Sequence, residues 1–149
     1  LEKEGKFGTP EYAELNRRFG WEFNGMRLHE YYFENITKDP KELDKNSALA
    51  EAIMKEWGSY EMWEKDFRAM AAMRGIGWVI LYHDKLGERL FNVWVNEHDA
   101  GHFAGAVPLL VIDVFEHAYV PDYGIKRADY IAKIMANIDW IVVGNRHKK

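Results

Sequence analysis

The spacing of apolar residues changes twice along this chain of 149 residues, and that change limits its possible folds most. From Pro10 to Ile36 apolar side chains recur mostly at three- and four-residue steps, which is the spacing of one helix face. Thr9 fits the N-cap of this helix. The sequence then predicts two helices, from Ser47 to Trp57 and from Ser59 to Met73, separated by a turn at Gly58. The first half of the chain is therefore predicted to be helical.

After Arg74 the pattern becomes typical of β-strands. Three short runs rich in β-branched, aromatic and other apolar residues follow: Trp78 to Tyr82, Arg89 to Val95 and Ala106 to Ile112. Helical spacing returns from Lys126 to Ile138, and Asp139-Trp140 begins a last short helical turn. Helices, then strands, then helices predict an α+β fold with a three-stranded antiparallel sheet.

A polar segment from Thr37 to Asn46 contains Pro40 and is typical of a linker. We therefore expect a boundary near residue 45. The two predicted parts are an N-terminal helical part over residues 1–45 and a mixed α/β part over residues 46–149.

Charge and composition exclude several classes of partner. The 24 acidic and 20 basic side chains give a formal net charge of −4, so no net positive field exists to hold nucleic acid. The longest apolar runs fall short of the ~20 residues that a membrane span needs, so we expect no contact with membranes. The chain has no cysteine, which excludes disulfides, thiolate metal sites and thiol nucleophiles and favours a cytoplasmic protein.

The segment from Asp113 to Tyr119 carries the clearest chemical signal. Asp113 directly follows the third strand, and His117 lies four residues further on. A carboxylate and an imidazole so spaced at a strand end can converge on one point, and their O and N donors suit Fe, Mn or Zn. An ordinary hydrogen-bonded Asp–His pair fits the spacing equally well. The place of Asp113 at the edge of the core favours a cation, because a lone buried carboxylate is costly.

His29 is a further candidate ligand, on the apolar face of the first helix. A single histidine on such a face is more often a core residue than a ligand. With Asp113 and His117, however, it completes two imidazoles and one carboxylate, a set that leaves positions for solvent and substrate. The same set also fits an oxygen-activating non-haem iron protein, although no arginine or loop for a cosubstrate is evident.

His98 and His102 lie four residues apart in the loop between the second and third strands. This spacing suggests a separate zinc site, but the absence of cysteine and the nearby glycines disfavour one. Four aromatic residues lie near the candidate ligands in sequence and either line the site or fill the core: Trp78, Trp94, Phe115 and Tyr119.

The most specific pattern is the run Asp113-Val-Phe-Glu-His-Ala-Tyr119, accompanied by Gly75-Ile-Gly-Trp78, Arg127-Ala-Asp-Tyr130 and Asp139-Trp140. On these residues the chain resembles the iron/manganese superoxide dismutases, from about Gly20 to Arg146. The resemblance implies that residues 1–45 are the remnant of a helical-hairpin domain. It also implies that residues 46–149 form an α/β metal-binding domain.

The resemblance further implies the metal ligands. His29, Asp113 and His117 match three of the family's four protein ligands to Fe or Mn, one ion per chain. His98 matches the residue, often Gln, that contacts metal-bound solvent. Gly25 stands where iron-type enzymes often supply that Gln, a pairing that resembles the archaeal-type subgroup.

Glu116 matches a glutamate that reaches a ligand histidine of the other subunit in the family. The resemblance therefore implies a homodimer or homotetramer that converts superoxide to oxygen and hydrogen peroxide. The family's first ligand histidine and a gateway tyrosine lie on a helix that would precede Leu1, so we expect an N-terminally truncated enzyme. The alternative is a catalytically silent, dimer-forming fragment.

Overall fold

The computed structural model describes residues 1–148. After a short 3-10 turn (Glu2–Glu4), the described helices are α1 (Pro10–Glu34), α2 (Ala48–Trp57), α3 (Tyr60–Ala71), α4 (Glu116–Tyr123), α5 (Arg127–Met135) and α6 (Trp140–Lys148). The strands are β1 (Gly77–Asp84), β2 (Arg89–Asn96) and β3 (Val107–Asp113). They form an antiparallel sheet in the order β2-β1-β3, which confirms the predicted α+β class.

The predicted helix starts are confirmed by their caps. Side-chain oxygens of Thr9, Ser47 and Ser59 accept hydrogen bonds from the backbone N–H three residues further on, at 3.1–3.2 Å. Three helices end earlier than predicted: α1 at Glu34 instead of Ile36, α3 at Ala71 instead of Met73, and α5 at Met135 instead of Ile138.

Helix α4 is absent from the sequence prediction. It has only eight residues, contains Pro121 and shows no clear apolar stripe, so its pattern is unlike that of an ordinary helix. Helix α6 is also longer than the single turn predicted at Asp139-Trp140. The Asp139 carboxylate accepts from the backbone N–H groups of Ile141 and Val142, which stabilises its first turn.

The two faces of the sheet carry different helices. Trp78 of β1 pairs with Asp113 of β3, and both side chains share the face covered by α1. The opposite face, which begins with Val79, packs against α2, α3, α5 and α6 in the larger core. Because side chains alternate along a strand, this register directs Asp113 toward α1.

The predicted linker lies between α1 and α2, in a segment without helix. Isolated bridges pair Ile36 with Ile138 and Lys41 with Asp139, so the beginning and the middle of the segment contact the turn before α6. The division of the chain near residue 45 stays a prediction.

Among residues 1–148 no helix is both long enough and apolar enough to cross a bilayer.

Two neighbouring imidazoles join the end of β1 to α6. The ring centroids of His83 and His147 lie 4.6 Å apart, and the Nδ1 atom of His83 is buried with no hydrogen-bond partner among residues 1–148. Burial lowers the pKa of both rings, with Lys85 adding to the shift of His83 and His83 adding to that of His147. Asp84 and Glu88 oppose the shift of His83 without reversing it.

This pair predicts a loss of stability in acid. The unfolded chain takes up protons on these histidines near their ordinary pKa of 6.5, whereas the folded chain does so only at lower pH. The free energy of unfolding therefore falls as the pH drops below 6.5. Urea unfolding at about pH 7.5 and about pH 5.5 measures this loss. We expect a smaller loss in the double variant His83→Gln/His147→Gln, and an equal loss would contradict the prediction.

Candidate metal centre

Three of the predicted site residues meet at one point. A nitrogen of His29, a carboxylate oxygen of Asp113 and a nitrogen of His117 all lie within 4.8 Å of one another. The Asp113 Oδ2 atom is 3.4 Å from His29 Nε2 and 3.0 Å from His117 Nε2. Helix α1 supplies His29, while the end of β3 and the first turn of α4 supply the other two. The three side chains therefore lie together as predicted, and their role as metal ligands stays a prediction.

The orientation of His29 indicates what this point can bind. Its Nδ1 atom lies 2.6 Å from the carbonyl oxygen of Gly25, and because a carbonyl only accepts, Nδ1 carries the proton. In the neutral ring the lone pair of Nε2 then faces the Asp113 carboxylate. Two lone pairs face each other favourably only with a cation or a second proton between them. The donor set of two imidazoles and one carboxylate fits Fe, Mn or Zn.

The surroundings of Asp113 hold its side chain in one orientation. The side chain is 2% exposed, and its Oδ1 atom accepts a hydrogen bond from the backbone N–H of Phe115 at 2.9 Å. Burial is the largest influence on this carboxyl and raises its pKa, although Phe115 and His117 oppose the shift. The Oδ2 atom is within hydrogen-bond distance of His117 Nε2, which is the Asp–His pair that the spacing also allows, and a cation between these two atoms would replace that hydrogen bond.

His98 lies beside the cluster without joining it. The indole Nε1–H of Trp78 donates to His98 Nδ1 at 3.0 Å, so the proton of the neutral ring is on Nε2. Burial lowers the pKa of His98, and His29 adds to the effect, which favours this neutral form. A Cβ atom at Gly25 would lie 3.3 Å from His98 Nε2, so the glycine of α1 leaves space for this ring.

Aromatic rings form part of the wall around these histidines. Trp78 packs edge-on against His29, and Phe115 stacks on His98 and on His117, as the sequence suggested. Trp21 was not among the predicted residues of the wall, and its ring contacts His98 edge-on with centroids 4.6 Å apart. No local signal could have identified it, because Trp21 and His98 are far apart in the chain.

Two aromatic candidates for the wall lie elsewhere. Trp94 pairs with Val79 and packs in the larger core on the opposite face of the sheet, where Tyr119 is also buried. The reason is strand alternation: Trp94 is one residue away from the positions of β2 that face α1.

The structure also places the remaining candidates. Glu116 begins α4 and is exposed to solvent, so its predicted role at a subunit interface stays a prediction. His102 makes two hydrogen bonds: its Nε2–H donates to the carbonyl of His98, and its Nδ1 accepts from the hydroxyl of Tyr82. Both its nitrogens are occupied, and among residues 1–148 His98 and His102 belong to no group of three metal-binding side chains. These contacts do not favour a separate zinc site at this pair.

Three known proteins that are similar to this chain all carry the name superoxide dismutase, with Fe or Mn as the metal. The sequence model described as "Iron/manganese superoxide dismutases, C-terminal domain" matches residues 45–146. A protein named superoxide dismutase (Mn) 2 from Haloferax volcanii is 36% identical over 136 residues, which is 91% of this chain and 66% of that protein. A superoxide dismutase (Fe) from Aquifex pyrophilus is 37% identical over 139 residues, covering 93% of this chain and 64% of the relative. A superoxide dismutase (Fe) from Cupriavidus metallidurans is 43% identical over 119 residues, covering 78% and 58%.

The lengths of these relatives differ from that of this chain. The chain spans 58–66% of each relative, which is less than two thirds. Their sequences therefore include segments that have no counterpart in the aligned part of this chain.

Proposed function

The chain belongs to the iron/manganese superoxide dismutase family, and on that premise we propose that the protein of which it forms part disproportionates superoxide to oxygen and hydrogen peroxide. The observation that carries the proposal is the convergence of His29, Asp113 and His117, with two imidazole nitrogens aimed at one buried carboxylate oxygen. The comparisons give no better support to the alternative of a catalytically silent fragment.

His29, Asp113 and His117 would hold one Fe or Mn ion. When bound, that ion supplies one-electron redox chemistry, because it alternates between divalent and trivalent states. The Asp113 carboxylate contributes the one negative charge among the three ligands and favours the trivalent state. The hydrogen bond of His29 to the Gly25 carbonyl fixes the imidazole tautomer that presents Nε2 to the ion.

His98 would supply a hydrogen-bond donor beside the ion. Because Trp78 donates to its Nδ1 atom, the ring holds its proton on Nε2, which lies against α1 close to the site. Reduction of superoxide to hydrogen peroxide consumes two protons, so a fixed donor near the ion assists that half of the reaction. Trp21 and Phe115 cover the His98 ring and exclude water from it.

The exposed side of the site is compatible with a partner subunit. The side chain of His117 is 56% exposed, and the neighbouring Glu116 is also exposed. Within the proposal, Glu116 reaches a ligand histidine of a second copy of the chain in a homodimer or homotetramer. Sedimentation of the parent and of Glu116→Ala tests this part, and an unchanged oligomeric state in the variant contradicts it.

The absence of cysteine supports a cytoplasmic location, which cell fractionation tests.

The decisive experiment combines elemental analysis with a superoxide dismutation assay on the same purified protein. The proposal expects Fe or Mn near one equivalent per chain and dismutase activity that is lost when the metal is removed by a chelator. Metal at one equivalent without any dismutation, or dismutation without Fe or Mn, contradicts the proposal.

A second prediction concerns His98. In His98→Ala the metal ligands remain, so we expect unchanged metal content with turnover reduced by about 10–100-fold, because one positioned donor is lost. His98→Gln restores an N–H donor and should retain more activity than the alanine variant. Undiminished turnover in His98→Ala at full metal content would remove this residue from the mechanism.

A further inference from the structure

Two buried tyrosine hydroxyls connect α1 to the end of β3. Tyr32 of α1 and Tyr130 of α5 are 8% and 2% exposed, and their hydroxyl oxygens lie 3.1 Å apart. The Tyr130 hydroxyl also lies 2.7 Å from the main-chain carbonyl oxygen of Asp113. The three groups therefore form a continuous hydrogen-bonded chain inside the protein.

Which hydroxyl donates in each hydrogen bond follows from the carbonyl group at one end. A carbonyl only accepts, so Tyr130 donates its single hydroxyl proton to Asp113. The Tyr130 oxygen must then accept the proton of Tyr32. Loss of either hydroxyl interrupts the chain, and loss of the Tyr130 hydroxyl also leaves the carbonyl of Asp113 without this donor.

This chain of hydrogen bonds joins α1, which carries His29, to Asp113 at the end of β3. Tyr32 lies one helical turn after His29 on α1, and the carbonyl at the far end belongs to the same residue as the ligand carboxylate. Asp113 is thus held at two atoms, at its carbonyl by Tyr130 and at Oδ1 by the Phe115 N–H, while Oδ2 faces the histidines.

We infer that Tyr130 and Tyr32 are positioning residues that set the separation between His29 and Asp113 and thereby increase the affinity of the site for its metal ion. This inference rests on the proposed function. Changes that disturb the orientation of metal ligands typically cost about 10–100-fold in affinity. The contacts of the two hydroxyls are with each other and with the Asp113 carbonyl, so the effect acts through the ligands.

A second set of hydrogen bonds joins α1 to β3 and does not depend on the tyrosines. The Asn35 side chain at the end of α1 accepts from the backbone N–H of Val111 at 3.0 Å and donates to its carbonyl at 3.2 Å. This link fastens α1 to β3 even when the tyrosine hydroxyls are absent. Tyr→Phe variants should therefore fold, with the ligand separation altered rather than α1 detached.

The experiment measures Mn²⁺ affinity by competition with a chelator in the purified chain and in Tyr130→Phe, Tyr32→Phe and the double variant. We expect about 10-fold weaker binding in Tyr130→Phe and an equal or smaller loss in Tyr32→Phe. The double variant should bind no more weakly than Tyr130→Phe alone, because Tyr32 acts only through Tyr130.

Two controls separate positioning from general destabilisation. Tyr123→Phe removes a hydroxyl from a ring that packs edge-on against Tyr130, without a role in the chain of hydrogen bonds. Trp63→Phe perturbs the core on the other face of the sheet. Both should bind Mn²⁺ as the unsubstituted chain does, and the electron paramagnetic resonance spectrum of the bound ion should change only in the variants of Tyr32 and Tyr130.

The outcomes are distinguishable. An Mn²⁺ affinity of Tyr130→Phe within about two-fold of the parent overturns the inference and leaves the proposed function standing. An equal loss in Trp63→Phe also overturns it, because the effect would then follow stability alone. Failure of the unsubstituted chain to bind Mn²⁺ overturns the metal centre and this inference together.

Discussion

Replacement of Asp113 by Asn should reduce Mn²⁺ affinity by more than about 100-fold. This exceeds the ~10–100-fold effect of changing residues that only orient the ligands. The substitution keeps the size of the side chain, and the amide oxygen can still accept from the Phe115 N–H. It removes the negative charge toward which His29 and His117 are directed. Equilibrium dialysis against Mn²⁺, followed by elemental analysis, measures the effect.

The same substitution should leave the metal-free chain folded and at least as stable as the parent. Asp113 is buried, and burial raises its pKa, so its charge lowers the free energy of unfolding at neutral pH. Asp122→Asn is the matched control, because it makes the same change on the exposed surface of α4. Mn²⁺ binding by Asp113→Asn at the affinity of Asp122→Asn would contradict the assignment of Asp113 as a ligand.

The largest expected loss of stability follows replacement of Trp63 by Ala. The Trp63 ring is fully buried and packs against Tyr60, Phe67 and Trp140, with centroids 5.2–5.5 Å away. Its Nε1–H donates to the side-chain oxygen of Asn92 at 3.0 Å. Truncation leaves a cavity at the contact of α3 with α6 and should cost about 3–5 kcal/mol.

Thermal unfolding provides the measurement. A loss of this size corresponds to a decrease in Tm of roughly 6–20 °C for a chain of this length. The adjacent residue of the same helix, Met62, is 54% exposed, and Met62→Ala should change the free energy of unfolding by less than about 0.5 kcal/mol. Similar Tm values for the two variants would contradict the packing of α3 described here.

The fold was largely predictable because its helices and strands carry distinct periodicities. Local sequence was sufficient to predict the three strands and the helix caps at Thr9, Ser47 and Ser59. The structure has these caps because their side chains bond to the backbone only three residues further on. Helix α4 was not predictable in this way. It is short, contains Pro121 and lies where the ligand segment leaves the sheet, so its conformation depends on packing against other elements.

The candidate site was predictable at its ligands and less so around them. Residue types and spacing identified His29, Asp113 and His117 as candidate donors, and the resemblance to a family added the role of His98 beside metal-bound solvent. The neighbours brought in by tertiary structure had no such signal. Trp21 reaches His98 from α1, and Trp94 faces away from the site because of the register of β2.

The donors of the proposed metal centre come from distant parts of the chain, His29 from α1 and Asp113 with His117 from the junction of β3 and α4. An unfolded chain cannot present these donors together, so an ion binds the native state alone. By mass action, each tenfold rise in free ion above the dissociation constant adds about 1.4 kcal/mol to the free energy of unfolding. Without a single cysteine to form a permanent cross-link, this protein would hold its shape to a degree set by the metal supply around it. Its melting temperature would then report how much of that metal is free.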